Sequence, residues 1–353
     1  MAKLTYNKGE WSELYALLKI FDIREIPAAD ENLMPTKNKY RFLGVFREDE
    51  PDELKFYNLE HDGTVAIESG GRTVKIIDSS DLPQKTRSIF AAILNSKERT
   101  FAIPVAIEQM NKYALTKVKA GSWQKADLDA LVQDNIASRQ ELGFSIKSQL
   151  GGASTLLNAS RHTNFKYKIH SIDDNDAKLI NAEHGVKQKV KRLLDDKYPI
   201  EFIGASSQTF TNNMRLVDTA LPNIIGIILL AYFNGSATSI DDLCHSVTKY
   251  GLYGLDYIGI RYKVENFLRT VALGMVPSKP WSTKLSAYGG YLVVKSNGDI
   301  VCYHLYNDDD FKDYLFNNTK LDTPDQRRHD FGYLYKENSE YYINLNLQIR
   351  FMK

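Results

Sequence analysis

Asp127, Ser145 and Lys147 share one hairpin. "DLDALVQD" and "ELGFSIKS", within residues 127–148, read as two strands with a polar turn, "NIASRQ", between them. Asp127 opens the first strand and Lys147 lies on the second, 20 residues later. Ser145 is two before the lysine and so shares its face, because successive side chains of a strand alternate. An acid at the start of one strand and a lysine on the next is a layout for metal-dependent phosphodiester hydrolysis. The carboxylate holds Mg²⁺ beside a phosphate, while the lysine orients the attacking water and stabilises its hydroxide form. The familiar version of that layout has Asp or Glu two before the lysine, where this chain has Ser145. The competing reading is a lysine whose stem lies along a half-exposed strand and whose head reaches water.

With serine in the acid slot, a second carboxylate has to come from elsewhere. Glu13 is the first candidate, as a direct or water-mediated metal contact from an N-terminal helix, with Glu10 near it. Both also suit the bland role of acids favoured by a helix dipole. Glu141 shares the face of Ser145 and Lys147, and Asp129 shares that of Asp127, so either is a rival.

Several elements must position these groups. "KGEWSELYALLKIF" (8–21) spaces Trp11, Leu14, Tyr15, Leu18 and Phe21 by three and four, which predicts an amphipathic helix carrying Glu13. "YRFLGVF", "LKFYNLE" and "TVAIESGGRTVKIID" predict strands; "QKTRSIFAAILNS" and "VAIEQMNKYAL" predict helices. Residues 173–197 read as charged helix, with "KQKVKRLL" either phosphate-facing or solvated. "GGYLVVKSNGDIVCYHLY" (289–306) predicts a hairpin whose Asn297-Gly298 suits a type I′ turn, and "YYINLNLQIRF" a final strand. Cys302 and His304 share a strand face, but two ligands make no zinc site and core packing is expected.

The whole chain is consistent with a mixed α/β protein around one continuous core. It has 353 residues, 43% hydrophobic and 25% charged, with 45 basic against 44 acidic residues. A net charge of +1 neither demands nor excludes a nucleic-acid partner, since one face can be basic while the rest is acidic. Two cysteines cannot make a disulfide framework, and the N-terminus lacks the apolar stretch of a signal peptide. "LPNIIGIILLAYF" (221–233) is too short to span a bilayer and is expected to be a buried helix. A cytoplasmic protein without a membrane association is the expectation.

"GEWSELY", "GFSIKSQLGGASTLLNAS…TNF", "GGYLVVKSNGDIVCYHLYNDDDFKDYLF", "TPDQRRHDFG" and "LNLQIRF" resemble the HpaII family of type II restriction endonucleases, along essentially the full chain. The resemblance implies a PD-(D/E)XK core, a mixed central sheet flanked by helices, with added α+β DNA-recognition elements. It implies Mg²⁺-dependent cleavage of both strands of a short palindromic duplex, leaving 5′-phosphate and 3′-hydroxyl ends. The type member reads CCGG, which makes that the first target to expect. By position, Asp127 falls on the metal-binding acid, Lys147 on the motif lysine and Ser145 on the variant acid slot. The expected partners are double-stranded DNA, a second copy of the chain, and, as a functional counterpart, a methyltransferase encoded nearby. The chain then reads as a single endonuclease unit: an N-terminal helix over 1–22 with Glu13, an α+β region over 23–118, the catalytic hairpin and DNA-approach loop over 119–170, and a helical region with a C-terminal hairpin and recognition loop over 171–353.

The segment after Lys147 is small and polar. Gly151 and Gly152 allow close backbone approach, and Gln149, Ser154, Thr155, Asn158, Ser160, Arg161 and Asn164 offer donors for phosphates or base edges. Ser154 or Thr155 capping a helix is the alternative. For reading sequence, the loop "TPDQRRHDFG" (323–332) stands out, with Thr323, Arg327, Arg328 and His329 after or beside Pro324. Arginine is the preferred bidentate partner of guanine. A solvated charged turn is the plain alternative. Two other functions fit the same residues: a sequence-specific DNA-binding protein with impaired catalysis at Ser145, or a repair or phage-defence nuclease of the same fold.

Overall fold

A computed structural model describes residues 4–119, 126–133, 139–285, 287–304 and 308–352. In chain order its elements are α1 (Lys8–Ile23), β1 (Glu25–Ala29), β2 (Pro35–Glu48), β3 (Leu54–Leu59), β4 (Thr64–Ser69), β5 (Arg72–Asp78), α2 (Leu82–Asn95), α3 (Pro104–Lys112), β6 (Leu128–Gln133) and β7 (Arg139–Ser148). There follow β8 (Thr155–Leu157), β9 (Asn164–Ile169), α4 (Asp174–Asn181), α5 (Val186–Asp195), β10 (Ile200–Ala205), α6 (Gln208–Val217), α7 (Leu221–Phe233), α8 (Ile240–Val247) and α9 (Tyr257–Ala272). The chain closes with β11 (Gly290–Val294), β12 (Ile300–Tyr303), α10 (Asp308–Asn317), β13 (Thr319–Leu321), β14 (Leu334–Glu337), β15 (Glu340–Asn346) and β16 (Ile349–Phe351). It is a mixed α/β fold that divides into two compact units, one from residues 1–154, 286–311 and 353, the other from 155–285 and 312–352.

The first unit holds a mixed nine-stranded sheet in the order β1-β12-β11-β7-β6-β2-β3-β4-β5. β1 also pairs with β2, so six of these strands close into a ring, and the sheet is barrel-like at that end. The expected hairpin of β6 and β7 forms, with Leu128 opposite Phe144 and Gln133 opposite Arg139. Its turn, from Asn135, lies mostly outside the described residues. β7 is not an edge strand: β6 flanks it on one side and β11, running parallel, on the other, with Val293 opposite Lys147. Phe144 and Ile146 are buried in the core together with Trp11, Leu14 and Leu18 of α1. Each such burial stabilises by roughly 1.5–3 kcal/mol. A one-residue slip would bury Lys147 in their place, so register is firmly set.

α1 begins where the spacing puts it. Asn7 and Glu10 form a capping box, each side chain accepting from the other's backbone N–H. Glu10 is thereby used as a cap. The β11–β12 turn differs from the type I′ expectation. Gly298 N–H donates to the Lys295 carbonyl and Lys295 N–H to the Asp299 carbonyl, and of the central pair only Gly298 has positive φ, at 88°. This is a three-residue loop with a glycine bulge, and Gly298 lies under Tyr15, whose hydroxyl donates to its carbonyl at 2.6 Å.

The second unit contains a four-stranded sheet, β10-β9-β15-β14, and a three-stranded one, β13-β16-β8. The expected single terminal strand is therefore two: β15 pairs with β9 and β16 with β13 and β8, the chain changing sheets at Leu347-Gln348. Thr155 opens strand β8, so neither it nor Ser154 caps a helix there. Ser160 does the capping, of a 3₁₀ turn over Arg161–Thr163. The 173–197 stretch is two helices, α4 and α5, divided before Gly185. α7 is buried as expected, and among the described residues no single helix is long and apolar enough to cross a membrane.

Candidate active site

Asp127 sits just before β6, and its N–H donates to the Phe144 carbonyl at 2.8 Å, continuing the ladder. Its Oδ2 accepts from Ile146 N–H at 2.9 Å, which fixes the carboxylate across β7. The other oxygen, Oδ1, faces the Lys119 ammonium at 3.5 Å. Glu13 reaches the same ammonium through Oε1, at 3.6 Å. α1 delivers Glu13 to this end of β7, where the Ser12 and Ser148 hydroxyls meet at 2.9 Å. The remaining Glu13 oxygen, Oε2, is buried without a hydrogen-bond partner.

Two carboxylates in a dehydrated place repel, and their protonation reflects it. Burial first, then the Asp127 charge, push the Glu13 carboxyl up to about 7, against the pull of Lys119 and Lys147. Burial also works against the Lys119 charge, but Glu13 and Asp127 outweigh it and hold that ammonium above the usual lysine range. Lys147 goes the other way. Burial lowers it, with the carboxylates of Asp127 and Glu13 opposing and the like charge of Lys119 assisting. Its ammonium lies 5.2 Å from the centre of the buried Tyr291 ring, which stands on β11 opposite Ser145.

Glu13, Asp127, Ser145 and Lys147 are thus brought together at one end of the hairpin. The rivals are not. Asp129 lies opposite Gly143 and Glu141 opposite Leu131, further along the strands, and burial and the Glu141 charge raise Asp129. Neither contributes to the protonation of Lys147. Lys119 and Tyr291 complete the cluster, although spacing does not single them out. A lysine in a loop has no periodicity, and the only sequence signal for Lys119 is the apolar Val118 before it, which is buried.

The donor set suits a divalent cation: Glu13 Oε1 and Asp127 Oδ1 share the Lys119 ammonium between them, and Glu13 Oε2 is buried without a partner. Hard cations such as Mg²⁺ take one or two carboxylates and complete their shell with water and substrate oxygens. No cluster of three or more His, Cys, Asp or Glu groups suited to a metal occurs among the described residues. Cys302 is fully buried, as core packing requires.

The DNA-facing candidates fall in different settings. Gln149 accepts from Ser296 N–H at 3.1 Å, bracing the β11–β12 loop, and Ser154 donates to the Ser148 carbonyl at 3.4 Å. A Cβ on Gly152 would meet open space, so packing does not demand glycine there. In the second unit, Asn158 is exposed and Arg161 pairs with Asp330 at 2.7 Å. Asn164 is buried and donates to the His329 carbonyl at 2.8 Å, while Asn346 donates to its oxygen at 2.6 Å. It holds the 323–332 loop from beneath. Lys189, only 1% exposed, donates to the Gly332 carbonyl and lies 3.7 Å from the Tyr333 ring centre, so "KQKVKRLL" is not merely solvated. Thr323 bonds the Tyr232 hydroxyl. Arg327 and Arg328 stand out at 86% and 75% side-chain exposure, both drawn to Asp325. The hydrogen bonds of Arg327, from side chain and backbone, with the charges of both arginines, hold that carboxyl at about 2.

Comparison with known proteins shows the family. The model of the HpaII restriction endonuclease family matches residues 7–351. The type II restriction enzyme HpaII of Haemophilus parainfluenzae is 38% identical over 355 residues, covering 98% of this chain and 98% of its own. No solved structure matches.

Proposed function

Because the chain belongs to the HpaII restriction endonuclease family, and so is a type II site-specific deoxyribonuclease, we propose that Glu13, Asp127 and Lys147 form its cleavage site. The observation that carries this is the meeting of two carboxylates from separate elements, one with an unmade buried contact, beside a dehydrated lysine. In this reading the hairpin is of the PD-(D/E)XK type with its second acid moved from strand to helix: Ser145 leaves the slot and Glu13 supplies the charge. Asp127 and Glu13 would hold Mg²⁺, which supplies Lewis-acid stabilisation of the charge that builds on the phosphate. Asp127 is held by the Ile146 N–H so that one oxygen stays available. Lys147 keeps a hydrogen-bond donor aimed at the attacking water, and its low-dielectric surroundings strengthen that interaction. The water oxygen bonds to phosphorus as the P–O3′ bond breaks, leaving 5′-phosphate and 3′-hydroxyl ends.

Base reading is assigned to the 323–332 loop through Arg327, Arg328 and His329, with Arg161 beside it and Asn164 as its support. Gln149, Ser154, Thr155, Asn158 and Thr323 are left for backbone contacts. The target is a short palindromic duplex, CCGG by analogy with the H. parainfluenzae relative, cut in the bacterial cytoplasm and protected by a partner methyltransferase. Digesting a fully sequenced plasmid in Mg²⁺ and mapping the ends tests this. Discrete bands with ends at CCGG are expected. A smear would point to a repair or phage-defence nuclease, and an intact plasmid that shifts in a gel to a DNA-binding protein with impaired catalysis.

A further inference from the structure

We propose that Lys119 is an internal counter-cation: in the metal-free enzyme its ammonium stands between Glu13 and Asp127, and it swings aside when a divalent cation takes that place. The inference rests on reading those two acids as cation ligands.

Two features of the segment carrying Lys119 set up this exchange. Its backbone is pinned. Asp49 accepts from Thr116 N–H at 2.7 Å, the buried Arg47 donates to the Lys117 carbonyl, and Lys117 donates to the Asp49 carbonyl. Arg47 is itself paired with Asp49 at 2.5 Å, and Leu115 and Val118 are buried in the core. The Cα of Lys119 is therefore presented to the site by construction. Its side chain is 51% exposed, whereas those of Glu13 and Asp127 are each 17% exposed, so the lysine can leave while the acids cannot.

Charge requires the departure. One ammonium lies within 3.6 Å of an oxygen from each acid and partly neutralises two crowded negative charges. A dication bound by both oxygens at roughly 2.0–2.1 Å would stand against that ammonium, and like charges at such range are strongly unfavourable in a partly dehydrated place. Lys147 is poorly suited to the role: it is half-buried, and its ammonium lies over the Tyr291 ring, 5.2 Å from its centre. The two lysines divide the work: Lys119 balances the resting site and Lys147 serves the reaction.

The test uses the full-length protein, with Ca²⁺ as the probe, in calorimetry at pH 8 and in thermal melts with EDTA. Lys119→Gln is expected to bind Ca²⁺ more tightly, on the order of tenfold, because the competing charge is gone. The same variant should melt at a lower temperature than wild type in EDTA and recover in Ca²⁺. Lys119→Arg, which keeps the charge, should stay near wild type in both. If Lys119→Gln binds Ca²⁺ no better than wild type while Asp127→Asn loses the binding, the acids are ligands and the counter-cation role alone is overturned. If Asp127→Asn binds Ca²⁺ as wild type does, the ligand assignment falls and takes the inference with it.

Discussion

At the scale of single residues, the proposed site separates groups that would hold the cation from one that would act on the reaction. Lys147→Ala should lower cleavage by roughly a hundred- to ten-thousand-fold while specific binding in Ca²⁺ survives, measured by single-turnover digestion and gel shift. Asp127→Ala should be as inactive, and an active variant of either would move the site. Glu13→Gln should reduce the rate by orders of magnitude and Ser145→Ala much less, since only the first removes a charge. Glu13 also sets a pH dependence, with Asp127, Lys119 and Lys147 the charges facing it. Its carboxyl, pushed up to about 7, holds a proton that the unfolded chain would release from the ordinary carboxylate range upward. Its contribution to metal-free stability therefore falls as pH rises toward 7. Cation affinity runs the opposite way, because only the ionised acid ligates, and weakens as pH drops below about 7. Melts in EDTA and Ca²⁺ calorimetry at pH 6 and 8 should show both trends, and Glu13→Gln should flatten both.

At the scale of elements, the hairpin is only as well placed as the strand beside it. β11 starts at Gly290, with φ 99°, where an added Cβ would lie 1.8 Å from the Tyr303 carbonyl oxygen. Gly290→Ala is expected to destabilise by about 3 kcal/mol or more, in denaturant melts, by prising β11 from β12 and from β7. The 323–332 loop is the other element under test. A base-reading arginine should cost about 1–3 kcal/mol on the true site and much less on scrambled DNA, whereas a phosphate contact weakens both alike. Binding of Arg327→Ala, Arg328→Ala and His329→Ala in Ca²⁺ to both duplexes, at two salt concentrations, distinguishes these. Equal losses on both for all three variants would leave the loop a backbone clamp.

At the scale of the molecule, the proposed function gives one chain one set of Glu13, Asp127 and Lys147 for a palindromic target whose two strands are equivalent. Two copies per duplex are expected, so supercoiled plasmid should pass to linear without a nicked circle building up. A nicked circle that accumulates and is then chased would mean a monomer cutting the strands in turn. Much of this was legible in the sequence, and the gaps have physical causes. Phe144 and Ile146 alternate with Ser145 and Lys147, so the strand and its faces follow from period alone. Glu13 was within reach because one helix carries it and an empty acid slot asked for it. Lys119 was not, since its place depends on the distant pair Arg47 and Asp49. The turn at Asn297-Gly298 is a three-residue loop because Lys295 pairs with Asp299, a closure the Asn-Gly dipeptide alone does not signal. The break at Leu347-Gln348 leaves no composition signal, because both halves alternate and only their partners differ.

The ring made when β1 joins both β2 and β12 has a kinetic meaning for the enzyme. A strand at an open margin can peel away while the rest stays folded, and its amides then exchange with solvent by local fraying. β6, which Asp127 immediately precedes, and β7, which carries Lys147, have a neighbour on either side within the closed part, whereas β3, β4 and β5 extend beyond it. In deuterium exchange the amides of β6 and β7 should be the last to label, on the timescale of complete unfolding, and those of β5 among the first. A half-open nuclease that retains a working centre but has lost its surroundings is then expected to be unpopulated. On heating, cutting activity should vanish together with the fold and not before it.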